Sequence, residues 1–201
     1  MCPGRDWLTL YGGVVSRLVH LNGPPGIGKS TLSARYADRT PGVLNLDVDA
    51  VHRLVGGWQD DENRTWDIVW PLVRAMAATH LAGGRDVVLP QYLARLSEIT
   101  AFEDLAREHG ASFLEVVLLD DRAASIERFE RRADEDDDPW VRHHHRLVRS
   151  RGGPVLLGTM YDDLLELVHL RPDAVVVPSA AGAVEETYEL LAEVLGGQAR
   201  R

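Results

Sequence analysis

Eight residues constrain this chain more than any others. Gly23-Pro24-Pro25-Gly26-Ile27-Gly28-Lys29-Ser30 satisfies the pattern G-x-x-x-x-G-K-[ST]. A short apolar run over 17–22 precedes it, and a helix-forming stretch from about Gly28 to about Ala37 follows. That order is a buried parallel strand, a glycine turn and a helix start. Glycines let main-chain N–H groups turn inward to form an anion nest, and the helix N-terminus adds the positive end of its dipole. The ammonium of Lys29 is placed to reach the β- and γ-phosphates of a nucleotide, and the Ser30 hydroxyl to ligate Mg²⁺. Lys29 is the only lysine among 22 basic residues; all the others are arginine. A genome rich in Arg codons explains why lysine is rare. The one that survives stands where a compact ammonium on a flexible stem fits between phosphates and a planar guanidinium does not.

The rest of the chain alternates strand and helix. Further strands are expected at 43–47, 86–89, 113–119 and 174–177. Helices are expected over 49–82 (broken around Gly56-Gly57), 97–109, 121 to about 133, 139–150, 155–169 and 183–195. Trp66, Val69, Trp70, Val73 and Met76 recur at helical spacing, which reads as core. Asp138 followed by Pro139 is a carboxylate cap with proline in the first turn. The acidic run 134–138 reads as a solvated loop, and 1–15 as a loosely ordered arm. Such alternation gives an α/β fold with a mainly parallel sheet and right-handed crossovers. A length of 201 residues fits a single domain with a lid at about 122–150.

Charge and cysteine usage narrow the function classes. A net charge of -9 disfavours a nucleic-acid partner, which needs a basic surface. The one cysteine, Cys2, allows no intramolecular disulfide and fits a reducing cytoplasm. No signal peptide is expected, and no apolar run approaches the roughly 20 residues of a membrane helix. His143-His144-His145 chelates poorly, because consecutive helical residues point in different directions; a solvated lid helix is expected there.

Other candidate groups lie where ligands of parallel sheets bind, at the carboxyl ends of strands. Asp47 and Asp49 close the second strand; two apart on an extended segment, they face the same way. One carboxylate serves Mg²⁺ and the other accepts or orients the proton of an acceptor hydroxyl; either could instead cap the next helix. His52, Arg53, Gln91, Tyr92 and Arg95 are acceptor-pocket candidates, and Trp58 a candidate aromatic wall. Arg128, Arg131 and Arg132 form an arginine set, with Arg128 and Arg132 on one helix face.

The phosphate loop with Thr31, the Asp47-Val48-Asp49 stretch and the arginine-bearing segment after the fourth strand together resemble the small P-loop kinases. That group includes shikimate, gluconate and adenylylsulfate kinases, chloramphenicol phosphotransferase and nucleoside monophosphate kinases. The resemblance spans about 17–195 and implies a three-layer sandwich with a five-stranded parallel sheet in order 2-3-1-4-5. It implies phosphoryl transfer from ATP, or GTP, with Mg²⁺ to a hydroxyl of a small molecule, by a monomer or homodimer. Residues 23–31 and Arg128 would hold the nucleotide, and Ser30 and Asp47 the metal. Lys29, Asp47, Asp49, Arg128 and Arg132 would act in catalysis, with Asp49, Arg53, Gln91 and Arg95 on the acceptor. The base would stack near the loop 178–182. Strand three ends Val88-Leu89-Pro90-Gln91, where many P-loop proteins carry a metal-binding Asp. The alternatives are a nucleotide, nucleotide-sugar or polynucleotide-end kinase and, in another class, a regulatory nucleotide-binding protein without an acceptor.

Overall fold

The computed structural model of the protein describes residues 15–60 and 64–197. Cys2 and nearly all of the expected N-terminal arm lie outside the described residues. Five strands form one sheet, β1 (Arg17–Asn22), β2 (Leu44–Asn45), β3 (Val87–Pro90), β4 (Ser112–Leu119) and β5 (Val175–Pro178), in the order β2-β3-β1-β4-β5. Every pairing is parallel. The helices are α1 (Lys29–Arg39), α2 (Val48–Arg53), α3 (Trp66–Ala82), α4 (Leu96–Glu108), α5 (Arg122–Glu135), α6 (Pro139–Ser150), α7 (Pro154–Leu170) and α8 (Val184–Gly197).

Side chains alternate across the sheet, so each strand feeds two cores. Leu18, Val87, Leu89 and Val117 pack on one face against α2, α3, α4 and α7. Val19, Leu21, Val88, Val116 and Leu118 pack on the other against α1 and α8. Trp66 and Trp70 lie against the first core, as their spacing implies. A third cluster, with Phe129, Val148 and Leu157, joins α5, α6 and α7 into a lid with its own core.

Three polar side chains break the apolar pattern of the central strands. His20, Asn22 and Glu115 are all buried, and His20 pairs in register with Glu115. Arg171 donates from Nε to Glu115 Oε2 at 2.9 Å and from Nη1 to Glu103 Oε2 at 2.9 Å. A carboxylate this buried is tolerable only because the guanidinium meets it.

Several expectations are corrected. β2 is two residues long, so Asp47 and Asp49 do not share an extended segment. Asp47 is the N-cap of α2, accepting from the amides of Asp49 and Ala50, because a carboxylate there satisfies donors that the helix leaves open. The break expected around Gly56-Gly57 is present but longer than two glycines imply, since α2 ends at Arg53 and α3 starts at Trp66. α5 runs to Glu135, which leaves only 136–138 of the acidic run as loop. α8 continues through Gly196 and Gly197 rather than stopping at them. His143 and His145 are buried, not solvated, because α6 is packed between the lid core and the tryptophans. Asp138 does cap α6, accepting from Trp140 N at 2.8 Å, with Pro139 in the first turn.

Arg171→Met leaves Glu115 buried without its cation. The expected cost is about 3 kcal/mol in urea unfolding, largely recovered in Arg171→Met/Glu115→Gln. A loss below about 0.5 kcal/mol would contradict this account of the network.

Candidate functional site

The phosphate loop is held from beneath by one amide side chain. Asn22 Oδ1 accepts from Gly23 N at 2.9 Å and from Leu93 N at 3.1 Å, and Asn22 Nδ2 donates to Leu93 O at 2.8 Å. Asn22 thus ties the start of the loop to the segment after β3 that carries Gln91 and Tyr92. Gly23 has φ +147, and a Cβ there would stand 2.7 Å from Leu118 O. Gly26 has φ +81, and its Cβ would meet Phe129 Cα at 3.2 Å, where the lid crosses the loop. Only glycine serves at both.

The loop presents donors without acceptors. Ile27 N donates to Pro24 O at 3.3 Å. Among the described residues the amides of Gly26, Gly28, Lys29 and Ser30 have no such partner. They lie at the N-terminus of α1, which has no acidic residue in its first turn. Open donors at a positive dipole end are what a phosphate needs, so the cradle fits the polyphosphate of a nucleotide. Lys29 Nζ lies over it, donating to Gly23 O at 2.8 Å and Pro24 O at 2.9 Å. Burial brings its pKa down to about 8, against the opposing pull of Asp49 and Asp47.

Asp49, in the first turn of α2, faces this ammonium. Trp140 Nε1 of α6 donates to Asp49 Oδ2 at 3.1 Å. Burial raises the carboxyl to a pKa of about 6, and the neighbouring Asp47 adds to the rise. Lys29, the Trp140 hydrogen bond and Arg132 pull it the other way. A carboxylate poised near neutrality beside a phosphate cradle is chemically useful.

One cavity of about 280 Å³ gathers these groups. Pro25, Gly26, Gly28, Lys29, Ser30, Thr31, Asp49, Gln91 and Arg132 all line it, as do Tyr92 and the lid residues Phe129, Trp140 and His144. Arg128 faces a separate notch, lined with Ile27, Gly28, Thr31, Ser179 and Ala180. Its Nη1 donates to Ser179 O at 3.0 Å, and Ser179 Oγ donates to Ile27 O at 3.1 Å. Lid, phosphate loop and the turn after β5 therefore meet where the base was expected. Gly23 and Pro24 act through the carbonyls that hold Lys29.

Other candidates lie elsewhere. Asp47 does not line the cavity, and its Oδ1 is committed to the cap. Arg53 turns outward to Asp138 Oδ2 at 3.0 Å. The Arg95 side chain is 81 % exposed, 3.8 Å from Glu98. Arg131 lines neither space. His52 is buried, 2.6 Å from Thr65 Oγ1 through Nε2 and against the Trp66 ring at 4.0 Å between centroids. Trp58 packs on Trp140 and His143 rather than lining the cavity.

Sequence reasoning missed Asn22, Trp140 and His144. The first was legible as a polar residue two after His20, on the same face of an otherwise apolar strand. Trp140 follows a capped proline start, but its reach to Asp49 depends on lid docking. Burial lowers the pKa of His144 to about 4, helped by His143 and His52, so it stands neutral in the wall.

The comparisons with known proteins agree with this geometry. The AAA domain family matches residues 18–152. No curated protein matches the chain. The tunicamycin resistance protein of Deinococcus radiodurans superposes with a TM-score of 0.58 at 18% identity, covering 90% of this chain and 96% of that one. A protein of Chloroflexus aurantiacus provisionally described as a kinase does so at 0.63 and 16%, covering 92% and 99%. A gluconokinase of Sinorhizobium meliloti 1021 does so at 0.53 and 19%, covering 92% and 98%. At these identities the likeness is one of fold.

Carbon-detected NMR of the Asp49 carboxyl should show titration near pH 6, moving to higher pH in Trp140→Phe, because the lost hydrogen bond favoured the charged form. Titration near pH 4 in both proteins would contradict the site's electrostatics.

Proposed function

We propose, from the premise that the chain belongs to the AAA domain family and has the fold of small P-loop kinases, that it is a phosphotransferase moving the γ-phosphoryl group of ATP to a small-molecule hydroxyl. One observation carries this reading. Lys29, Ser30, Asp49 and Arg132 line a single cavity that extends from the phosphate cradle to the apolar side chains of α5, α6 and α7. A protein that only binds and hydrolyses nucleotide has no need of a walled chamber opposite the phosphates.

The loop amides of Gly26, Gly28 and Lys29 would grip the polyphosphate, and Ser30 would hold Mg²⁺. Asp47 lies outside the cavity with Oδ1 committed to the cap of α2, so Ser30 is the side chain left to hold the metal. Bound nucleotide and metal supply the transferable phosphoryl group and neutralise part of its charge. Arg128 fixes the nucleotide side of the site by linking lid, loop and the Ser179 turn. Lys29 and Arg132 stabilise charge on the equatorial oxygens as the group moves. Asp49 is the base of the aspartate pair, because Asp47 is the cap. The acceptor oxygen forms its bond to phosphorus and its proton passes to Asp49. The bond from phosphorus to the bridging oxygen breaks, and the nucleoside diphosphate leaves with that electron pair. Gln91 lies in the cavity wall as a neutral group for orienting the acceptor.

The charge states set a pH window. Asp49 works as a base only when ionised, above about 6, and Lys29 keeps its charge only below about 8. The value of kcat/KM should therefore fall on the acid side of the first and the alkaline side of the second.

Lys29→Ala should lower kcat by about 10³-fold and Asp49→Asn by about 10²–10⁴-fold in a radiolabel transfer assay. Both variants should keep a cooperative melting transition above the assay temperature, so that lost turnover reports the site and not the fold. Unchanged turnover in either variant would overturn the assignment.

A further inference from the structure

The cavity beyond the phosphate loop is chemically one-sided. Phe129, Val148, Leu147, Leu156 and Met160 face it from α5, α6 and α7, and Tyr92 lines it beside Met160. Phe129, Val148 and Leu156 also belong to the lid core, which packs them against Leu157 and Ile126. The Tyr92 hydroxyl is turned away to donate to Met160 O at 2.9 Å, which leaves its ring on the cavity.

The charged groups of this space are few. Lys29 is bound to the phosphate loop and Asp49 to Trp140. Arg132 and Arg151 also line it; both residues are exposed, and Arg132, assigned above to the transferring phosphoryl group, is 3.6 Å from Asp136. Arg53 and Arg95, the cations expected in the acceptor pocket, point elsewhere. Of the two imidazoles in the lining, His144 and His145, burial holds the first neutral.

We infer that the acceptor is an amphipathic alcohol: one hydroxyl presented to Asp49, carried on an uncharged, mainly apolar or aromatic body seated against Tyr92 and the lid. The inference rests on the phosphotransferase reading and adds the substrate class. An anionic acceptor would lose its hydration against the apolar side chains of α5, α6 and α7, whereas an apolar body gains there by leaving water. The cavity measures about 280 Å³ and includes the space over the phosphate loop, so the part left for an acceptor suits only a compact body.

The test is a binding titration by ligand-observed NMR on the full chain, with a non-hydrolysable ATP analogue and Mg²⁺ present. The probes are 2-(1-naphthyl)ethanol, gluconate and uridine monophosphate. The naphthyl alcohol should bind at least about tenfold more tightly than either anion. Met160→Glu should weaken it by about tenfold or more, while Met160→Leu keeps it within about threefold. Tighter binding of gluconate or uridine monophosphate, or alcohol binding indifferent to Met160→Glu with the melting temperature retained, would overturn the inference. Transfer of label from γ-labelled ATP is read in parallel. Label on gluconate alone ends this inference and leaves the kinase reading standing. Alcohol binding that obeys the variants, with no acceptor of any class taking label, ends the kinase reading instead.

Discussion

Everything functional in this molecule depends on holding main-chain amides apart from the acceptors they would otherwise find. A loop of positive-φ glycines keeps its donors turned toward one point, and such a loop is intrinsically floppy. The Asn22 side chain removes that freedom by gripping Gly23 from below and Leu93 from the side. Asn22 is buried in a central strand, beside a carboxylate that is itself held by Arg171. The rigidity of the cradle is therefore an outcome of the polar network threaded through the sheet. The hydrophobic layers on both faces make that network dry and hence strong.

The lid adds the second constraint. Its short core brings three helices together, and from that platform Trp140 reaches Asp49, Phe129 crosses Gly26 and Arg128 reaches the Ser179 turn. These contacts join Asp49, the phosphate loop and the turn after β5 through one helical unit. Asp49 is desolvated as a consequence, which is what moves its acidity toward neutrality.

The fold was largely legible from the alternation of short apolar runs with helical patterns, because sheet order follows once the phosphate loop fixes β1. The phosphate loop was legible for the same local reason: its glycines, lysine and serine are contiguous. Asp47 and Asp49 were found as a pair, but that Asp47 caps α2 while Asp49 lines the cavity with Lys29 was not. That depends on where β2 ends, and a two-residue edge strand leaves almost no periodic signal. Arg53 and Arg95 were misplaced because a helix start and a strand-end loop give no hint of which way a long side chain turns. His143 and His145 were taken for surface because their burial comes from Trp58 and Phe129, which lie far away in sequence. Long-range packing, rather than composition, decided each of these.

The central claim is that the cradle binds a nucleoside triphosphate through its amides and Lys29. Isothermal calorimetry of the purified chain with ATP and Mg²⁺ tests it directly. A single saturable site is expected, weakened by at least about tenfold in Lys29→Ala. Absence of any binding heat with both ATP and GTP, across temperatures that would expose an enthalpy of zero, would contradict the account.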